Sequence, residues 1–327
     1  MKKAIVFHVI LIVLFMTTSC APKKYSRQYW GMFDTVTDVE GYFDSEEEFE
    51  RATGLVESTL SYYNTLFDAY NDADDLVNLK KINESGGETI EINKDMYDFL
   101  VYLKSIDKKT DSAVNAAFGS VTYIWKDTIN NNAPLPSQDT LDKAALHTDF
   151  DSVILEESPY RVTLSDPELK IDAGAFAKGY AADRLREILI ENGVENIIIN
   201  MGGNVVAIGS KMGEGWNVGI KNPDGGIFTT VKVKDLSVVT SGIYERGREI
   251  NGILYHHIIS PDTLYPANNF LSVSVVCKSS AIADALSTAL FVMDRDEGMK
   301  LLENFPEAEV LWIDNDGRAY YSSNFPK

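Results

Sequence analysis

Cysteine is nearly absent: Cys20 and Cys277 are the only two in 327 residues. Cys20 lies near the N-terminus and Cys277 inside an apolar run, so a disulfide scaffold is excluded and Cys277 reads as a buried small hydrophobe. Positive charge is scarce too. The chain has 30 Lys and Arg against 49 Asp and Glu, and the resulting −19 is spread along it rather than gathered in a tail. That balance reads as a solvated acidic surface and argues against nucleic acid as a partner. It also sets a condition. An acidic chain that handles a pyrophosphate must overcome repulsion at its own site, and a divalent cation held by carboxylates is the usual remedy. Missing as well are a Walker-type glycine-lysine loop, a zincin helix and a Gly-x-Ser-x-Gly elbow. No internal repeat, low-complexity block or interdomain linker stands out. What is plentiful is apolar material, 45% of residues, enough for a sizeable core.

The chain opens with Met1-Lys2-Lys3, runs apolar from Ala4 to Met16, and reaches Cys20 through Thr17-Thr18-Ser19. The apolar run is too short to cross a hydrocarbon layer of ~30 Å as a helix, so residues 1–19 are expected to be a signal peptide. Cys20 resembles the lipid-modified first residue of a bacterial lipoprotein, with Thr17 where the lipobox usually carries Leu; ordinary secretion with a stray cysteine is the other reading. Polar residues predict a tether over 20–28, which leaves 29–327 as one domain outside the cytoplasm, held to the membrane by its N-terminal lipid.

Ser45 followed by Glu48 has the form of a capping box, and Phe49, Ala52, Val56, Leu60, Tyr63 and Phe67 recur at helical spacing. Further helices are expected from about Asp95 to Ile106, Ala175 to Ile190 and Ala281 to Met293, with a short one near Gly298 to Asn304. Strands are expected from Asn196 to Asn200 and Val205 to Ile208, flanking a tight turn at Met201-Gly-Gly-Asn204. Others are read at 216–220, 229–233, 237–240, 253–259 and 271–276, with a final hairpin at Asn315-Asp-Gly317. Helices and strands mix without the regular alternation of a doubly wound sheet, which predicts an α+β fold in one unit.

Three segments carry chemistry. Lys170 to Arg184 passes from a β-like run into a helix through small residues, which let a backbone approach a ligand and offer N–H groups to phosphate. Asp172 there reads as a helix N-cap or a ligand-binding acid, and Lys178 as a phosphate contact or a surface lysine. In the second segment, Asp284 and Thr288 fall one helical turn apart and so share a face. Their oxygens suit a hard cation such as Mg²⁺, or form only a polar stripe. The third holds His256 and His257, two of four histidines. Adjacent strand residues face opposite ways, so zinc held by both is disfavoured; either one ring faces a cleft and the other points outward, or the residue is a satisfied structural histidine.

In order along the chain, Asp172-Ala-Gly-Ala-Phe-Ala-Lys-Gly-Tyr-Ala181, Asn200-Met-Gly-Gly-Asn204, Trp216-Asn-Val-Gly-Ile220, Thr240-Ser-Gly242 with Tyr244-Glu-Arg246, His257-Ile-Ile-Ser-Pro261 and Ala283-Asp-Ala-Leu-Ser-Thr-Ala-Leu-Phe291 resemble the successive motifs of the ApbE family of FAD:protein FMN transferases. Met32-Phe-Asp-Thr35, Leu66-Phe-Asp-Ala-Tyr70 and Asn115-Ala-Ala-Phe-Gly-Ser120 match more loosely. The resemblance implies a T-fold-related α+β architecture with mixed or antiparallel sheets and packed helices. It also implies Mg²⁺-dependent transfer of FMN from FAD to a threonine of an acceptor protein, a membrane redox subunit, with release of AMP. Carried over residue by residue, Ala175 (through its carbonyl), Asp284 and Thr288 would hold the metal, with Ser287 close by. Met32, Tyr70, Asn115, Ala116, Ala117, Asp172, Lys178 and Ile258 would contact FAD. His257, Lys178 and Asp284 would carry the chemistry. Ser260 stands where the family usually has Asp, and Leu264 where it usually has Gly, both in the loop after His257. An FAD pyrophosphatase and a non-catalytic flavin-binding lipoprotein are the competing readings.

Overall fold

Alternation of apolar side chains across strands dictates the layers seen in the computed structural model, which describes residues 21–326. The first half of the chain contains β1 (Lys23–Met32), β2 (Thr35–Phe43), α1 (Glu46–Leu66), α2 (Leu79–Asn83), β3 (Ile90–Glu91), α3 (Lys94–Lys109), α4 (Gly119–Asn130), α5 (Gln138–Ala145), β4 (Val153–Glu157) and β5 (Tyr160–Leu164). There follow α6 (Ala177–Glu191), β6 (Asn196–Met201), β7 (Asn204–Gly209), β8 (Trp216–Lys221), β9 (Ile227–Val233), β10 (Ser237–Gly242), β11 (Gly247–Ile250) and β12 (Ile253–His256). The chain ends with β13 (Phe270–Cys277), α7 (Ser280–Val292), α8 (Arg295–Leu301), β14 (Glu309–Asp314) and β15 (Ala319–Tyr321).

An eight-stranded sheet runs β1-β2-β6-β7-β10-β13-β14-β15, every neighbouring pair antiparallel. Both faces of its central strands are covered. Ile197, Ile199, Val206, Val239, Val273, Val275, Val310 and Trp312 belong to the main core with α1, α3, α6 and α7. The alternate residues Ala207, Val238, Val276, Leu311 and Ile313 pack against Trp216, Val218 and Val231 of the β8–β9 hairpin. Double coverage explains why these strands read as nearly continuous apolar runs. A third cluster joins Val121 and Trp125 of α4 to Leu141 of α5 and to Ile259 and Leu264. The α+β expectation therefore holds.

Local signals act as the sequence predicts. Ser45 Oγ accepts from Glu48 N–H (3.2 Å) at the start of α1, while Glu48 Oε2 accepts from Asp44 N–H (3.2 Å), one residue before the expected partner. Between β6 and β7, Gly202 (φ 56°) and Gly203 (φ 93°) make the two-residue turn, as strand twist requires. Three expectations are corrected. The predicted signal peptide and Cys20 lie outside the described residues, but most of the expected tether does not: Lys23 to Gln28 belong to β1. Paired to β2, this stretch turns Tyr25, Arg27 and Tyr29 onto α1, where Arg27 bonds Glu50 and Thr53 and Tyr29 OH donates to Thr53 O (2.9 Å). The strand read over 253–259 stops at His256, because Ile258 N–H donates to His256 Nδ1 (3.2 Å) and breaks the ladder. Helix α6 begins at Ala177 with Phe176 as its N-cap, so Asp172 does not cap it.

Close approach of α6 and α7 depends on Gly179. A Cβ there would lie 2.6 Å from Asp284 Cβ and 2.9 Å from Ala281 Cα, and nearer still to Ser280 O. Gly179→Ala should therefore destabilise the protein by about 1–3 kcal/mol through overpacking. Gly54→Ala, on the exposed side of α1 with nothing within 4 Å, should stabilise it by up to ~1 kcal/mol. Urea unfolding of the two variants reads both signs.

Candidate active site

Where the ends of the large sheet meet α4, α6 and α7, a cleft of about 680 Å³ opens. Its walls come from the β1–β2 turn, the loop after α1, residues 112–118, one face of α4, the approach to α6, the ends of β10 and β12, and α7. The structure gathers Tyr70, Asn115, Asp172, Ala175, Lys178, His257, Ile258, Asp284 and Thr288 there. It leaves out four residues that the sequence nominated. Met32 is buried against Ser61, and its neighbours Gly31 and Phe33 line the cleft instead. Ala116 and Ala117 are fully buried behind the wall, where Ala116 O accepts from Asp172 N–H (2.7 Å). Ser287 turns toward β10, its hydroxyl 2.8 Å from Ser241 Oγ and 2.9 Å from Asp284 O. One step around the helix from Thr288 points it away from the cleft.

Asp284 sits only 5% exposed, with Oδ2 accepting from Gly179 N–H at 2.8 Å. Burial pushes its carboxyl above the usual range, while Lys178, that N–H group and the Asn204 amide pull it down without cancelling the effect. Thr288 Oγ1 lies 3.4 Å from Ser241 Oγ. Among the described residues no group of three or more His, Cys, Asp and Glu side chains is placed to hold a metal. One carboxylate with hydroxyl and carbonyl oxygens does not suit zinc; it suits a hard cation that keeps several waters.

The two histidines take different roles. His256 does not point outward but is a satisfied structural histidine, the other reading the sequence left open: Nε2 donates to Ala267 O (2.7 Å) and Nδ1 accepts from Ile258 N–H. His257 lines the cleft, with Nδ1 3.1 Å from Arg246 O. A carbonyl only accepts, so Nδ1 carries the proton and Nε2 keeps a free lone pair. Burial drives its pKa down to about 4, and the charges of Arg246 and Lys178 add to that fall while the Arg246 carbonyl opposes it. The ring is thus neutral near pH 7.

Sequence reasoning missed Lys126, Thr122 and Glu245. Burial raises the Asp172 carboxyl, but Lys126 Nζ (2.9 Å to Oδ1), the Thr122 hydroxyl (2.5 Å to Oδ2) and Gly174 N–H (2.9 Å) reverse this and hold it below the usual range. Glu245 sits in the cleft with its carboxyl raised by desolvation, pulled down by Lys178 and pushed further up by Asp284. Thr122 and Lys126 at helical spacing were the available signal for the first pair, and the motif Tyr244-Glu-Arg246 was the signal for Glu245, to which no role was assigned.

Fold and cleft together define an antiparallel α+β protein that sets a buried carboxylate, a lysine and a neutral imidazole around one cleft. Residues 33–312 match the ApbE family, and the chain belongs to it. It is 34% identical over 258 residues to the FAD:protein FMN transferase of Treponema pallidum, covering 73% of this chain and 71% of that one. Its identity to the FAD:protein FMN transferase of Klebsiella pneumoniae is 32% over 237 residues, 71% and 73% of the two chains. The crystal structure of the ApbE protein of Thermotoga maritima superposes with a TM-score of 0.85 at 29% identity, covering 93% of this chain and 98% of that one.

His257 also fixes a pH response. Because its native pKa lies below the ordinary 6.5, the unfolded chain binds the extra proton as pH falls from about 6.5 toward 4. Stability should decline across that window, and thermal melts of His257→Gln should show a shallower decline.

Proposed function

We propose that this chain transfers FMN from FAD to a threonine hydroxyl of an acceptor protein and releases AMP. The observation that carries the reading is that Ala175, Lys178, His257, Asp284 and Thr288, from segments far apart in sequence, line one cleft in a chain belonging to the ApbE family. Its volume lies within the 300–1,000 Å³ typical of small-molecule sites.

The acceptor oxygen attacks the phosphorus on the FMN side of the pyrophosphate, a new P–O bond forms, and the bond to the AMP phosphate breaks with its electron pair leaving on AMP. His257 Nε2, unprotonated near pH 7, takes the hydroxyl proton. The Lys178 ammonium offsets charge on the pyrophosphate oxygens as they are displaced. Mg²⁺ held by the Ala175 carbonyl, Asp284 and Thr288 would draw further charge from those oxygens. The raised carboxyl of Asp284 supports this, since a cation is what its buried charge lacks. Most of the rate is positioning, as in other phosphoryl transfers. We place the protein outside the cytoplasm, tethered through lipid on Cys20, where its acceptor is a membrane redox subunit.

Incubation with FAD, Mg²⁺ and a threonine-bearing acceptor should give covalently flavinylated acceptor. Free FMN and AMP alone would instead make the protein an FAD pyrophosphatase, and unchanged FAD a binder. Asp284→Asn should lower transfer by about 100-fold or more. It should also raise the melting temperature of the cation-free protein. The native carboxyl titrates above its unfolded value, so stability is lost as pH rises through it, and an amide removes that liability while still accepting from Gly179 N–H. Full transfer by Asp284→Asn would refute the assignment of Asp284 to the cation, and an unchanged melt would refute the raised carboxyl.

A further inference from the structure

A second opposed pair lies in the same cleft, and the transfer step leaves it unused. Lys126 on α4 holds its Nζ 2.9 Å from Asp172 Oδ1, with the two side chains 27% and 13% exposed. The same ammonium stands 5.5 Å from the centroid of the Tyr70 ring and 5.0 Å from that of Tyr123, within the range at which a cation is attracted to an aromatic face. Tyr70 is 56% exposed although it lines the cleft. Its loop is fixed by Asp68, whose Oδ1 accepts from the N–H groups of Tyr70 (2.7 Å) and Asn71 (3.0 Å). A held ring with an open face is a stacking platform for a planar ligand. Asp172 complements it. Oδ1 accepts from Lys126 and Gly174 N–H and Oδ2 from the Thr122 hydroxyl, so an ionised carboxylate with about four lone-pair sites keeps room for one more donor.

We propose that Lys126 is a positioning residue: by bridging Tyr70 to Asp172 it sets an aromatic face and an acceptor-only carboxylate at one spacing, to receive a heteroaromatic ring whose edge carries N–H donors. The inference rests on the flavin-transfer reading. Both rings of FAD have such an edge, the adenine through its amino group and the isoalloxazine through its imide. Without the ammonium, Asp172 would face an incoming anionic dinucleotide as a bare charge, and the two walls of the cleft would lose their tie.

Lys126→Met removes the charge and keeps the stem, whereas Lys126→Arg keeps a charge. Each is to be titrated with FAD by flavin fluorescence, with AMP and FMN as competitors, and assayed for transfer. Kd and KM for FAD should rise about tenfold or more in the Met variant, with a smaller change in kcat, and the Arg variant should recover much of the loss. Weakening shared with AMP assigns the adenine to this spot, and weakening shared with FMN assigns the isoalloxazine. Tyr70→Leu should weaken FAD similarly, and its loss should not add fully to that of Lys126→Met. Wild-type FAD affinity in Lys126→Met, a loss confined to kcat, or full additivity with Tyr70→Leu would overturn the role. A wild-type protein that binds no FAD would sink the transfer reading itself, whereas binding and transfer unaffected by the variants would sink only this one.

Discussion

The hydrogen bond from Gly179 N–H to Asp284 Oδ2, 2.8 Å long, crosses the junction of α6 and α7, and it forms because no Cβ stands between the helices. The placement of the other site groups depends on that junction. Asp183, one turn further along α6, bonds Ser279 Oγ (2.6 Å) and the N–H groups of Ser280 (2.7 Å) and Ala281 (3.1 Å), so α6 also caps the start of α7. On the opposite side Ser287 ties α7 to Ser241 of β10. Gripped from both sides, α7 has no freedom to withdraw Asp284 from the cleft. A buried carboxylate that Lys178 only partly offsets needs such support, because its own desolvation favours swinging it out to water.

Charge is handled locally in a chain that is acidic as a whole. Against a net −19, the cleft is lined by Asp34, Asp68, Asp172, Glu245 and Asp284 on one side of the balance and by Lys126, Lys178, Lys221 and Arg246 on the other. An anionic ligand therefore meets a nearly neutral lining inside an otherwise repulsive surface. The two lysines have different partners. Lys126 is committed to Asp172 and two aromatic rings, so it shapes the wall. Lys178 acts by its field on Asp284, Glu245 and His257, which puts its charge where a pyrophosphate would pass.

How much of this the sequence disclosed follows from which signals are local. Strands β6, β7, β10 and β13 were legible because a sheet covered on both faces writes itself as β-branched runs bounded by glycine and polar residues. Strand β1 was not, since its inward positions are Tyr25, Arg27 and Tyr29, whose burial depends on partners in α1. Helix α4 was missed because it starts at Gly119 without a side-chain cap. With it went Lys126, whose meaning appears only beside Asp172, 46 positions later. The ordered motifs gave the cleft residues that touch its space, but not the distinction between Thr288, which faces it, and Ser287, which holds the helix behind it.

The loop after His257 holds two departures from the family pattern, and its own contacts accommodate both. Leu264 adopts φ 61°, a conformation that suits the glycine usual at that position and strains a leucine by roughly 1–2 kcal/mol. Its side chain is 9% exposed in the cluster with Val121, Trp125, Leu141 and Ile259, and full burial of a leucine contributes about 1.5–3 kcal/mol. The two effects are of similar size and opposite sign. Trp125 Nε1–H also donates to Leu264 O at 2.8 Å, which fastens the turn to α4. Ser260, in place of the usual Asp, closes the turn with its backbone, its N–H donating to Tyr265 O (2.9 Å) and its carbonyl accepting from Leu264 N–H (2.9 Å). The loop is thus held by α4, the helix that also carries Lys126, so Lys126 and the loop behind His257 are fixed by one element.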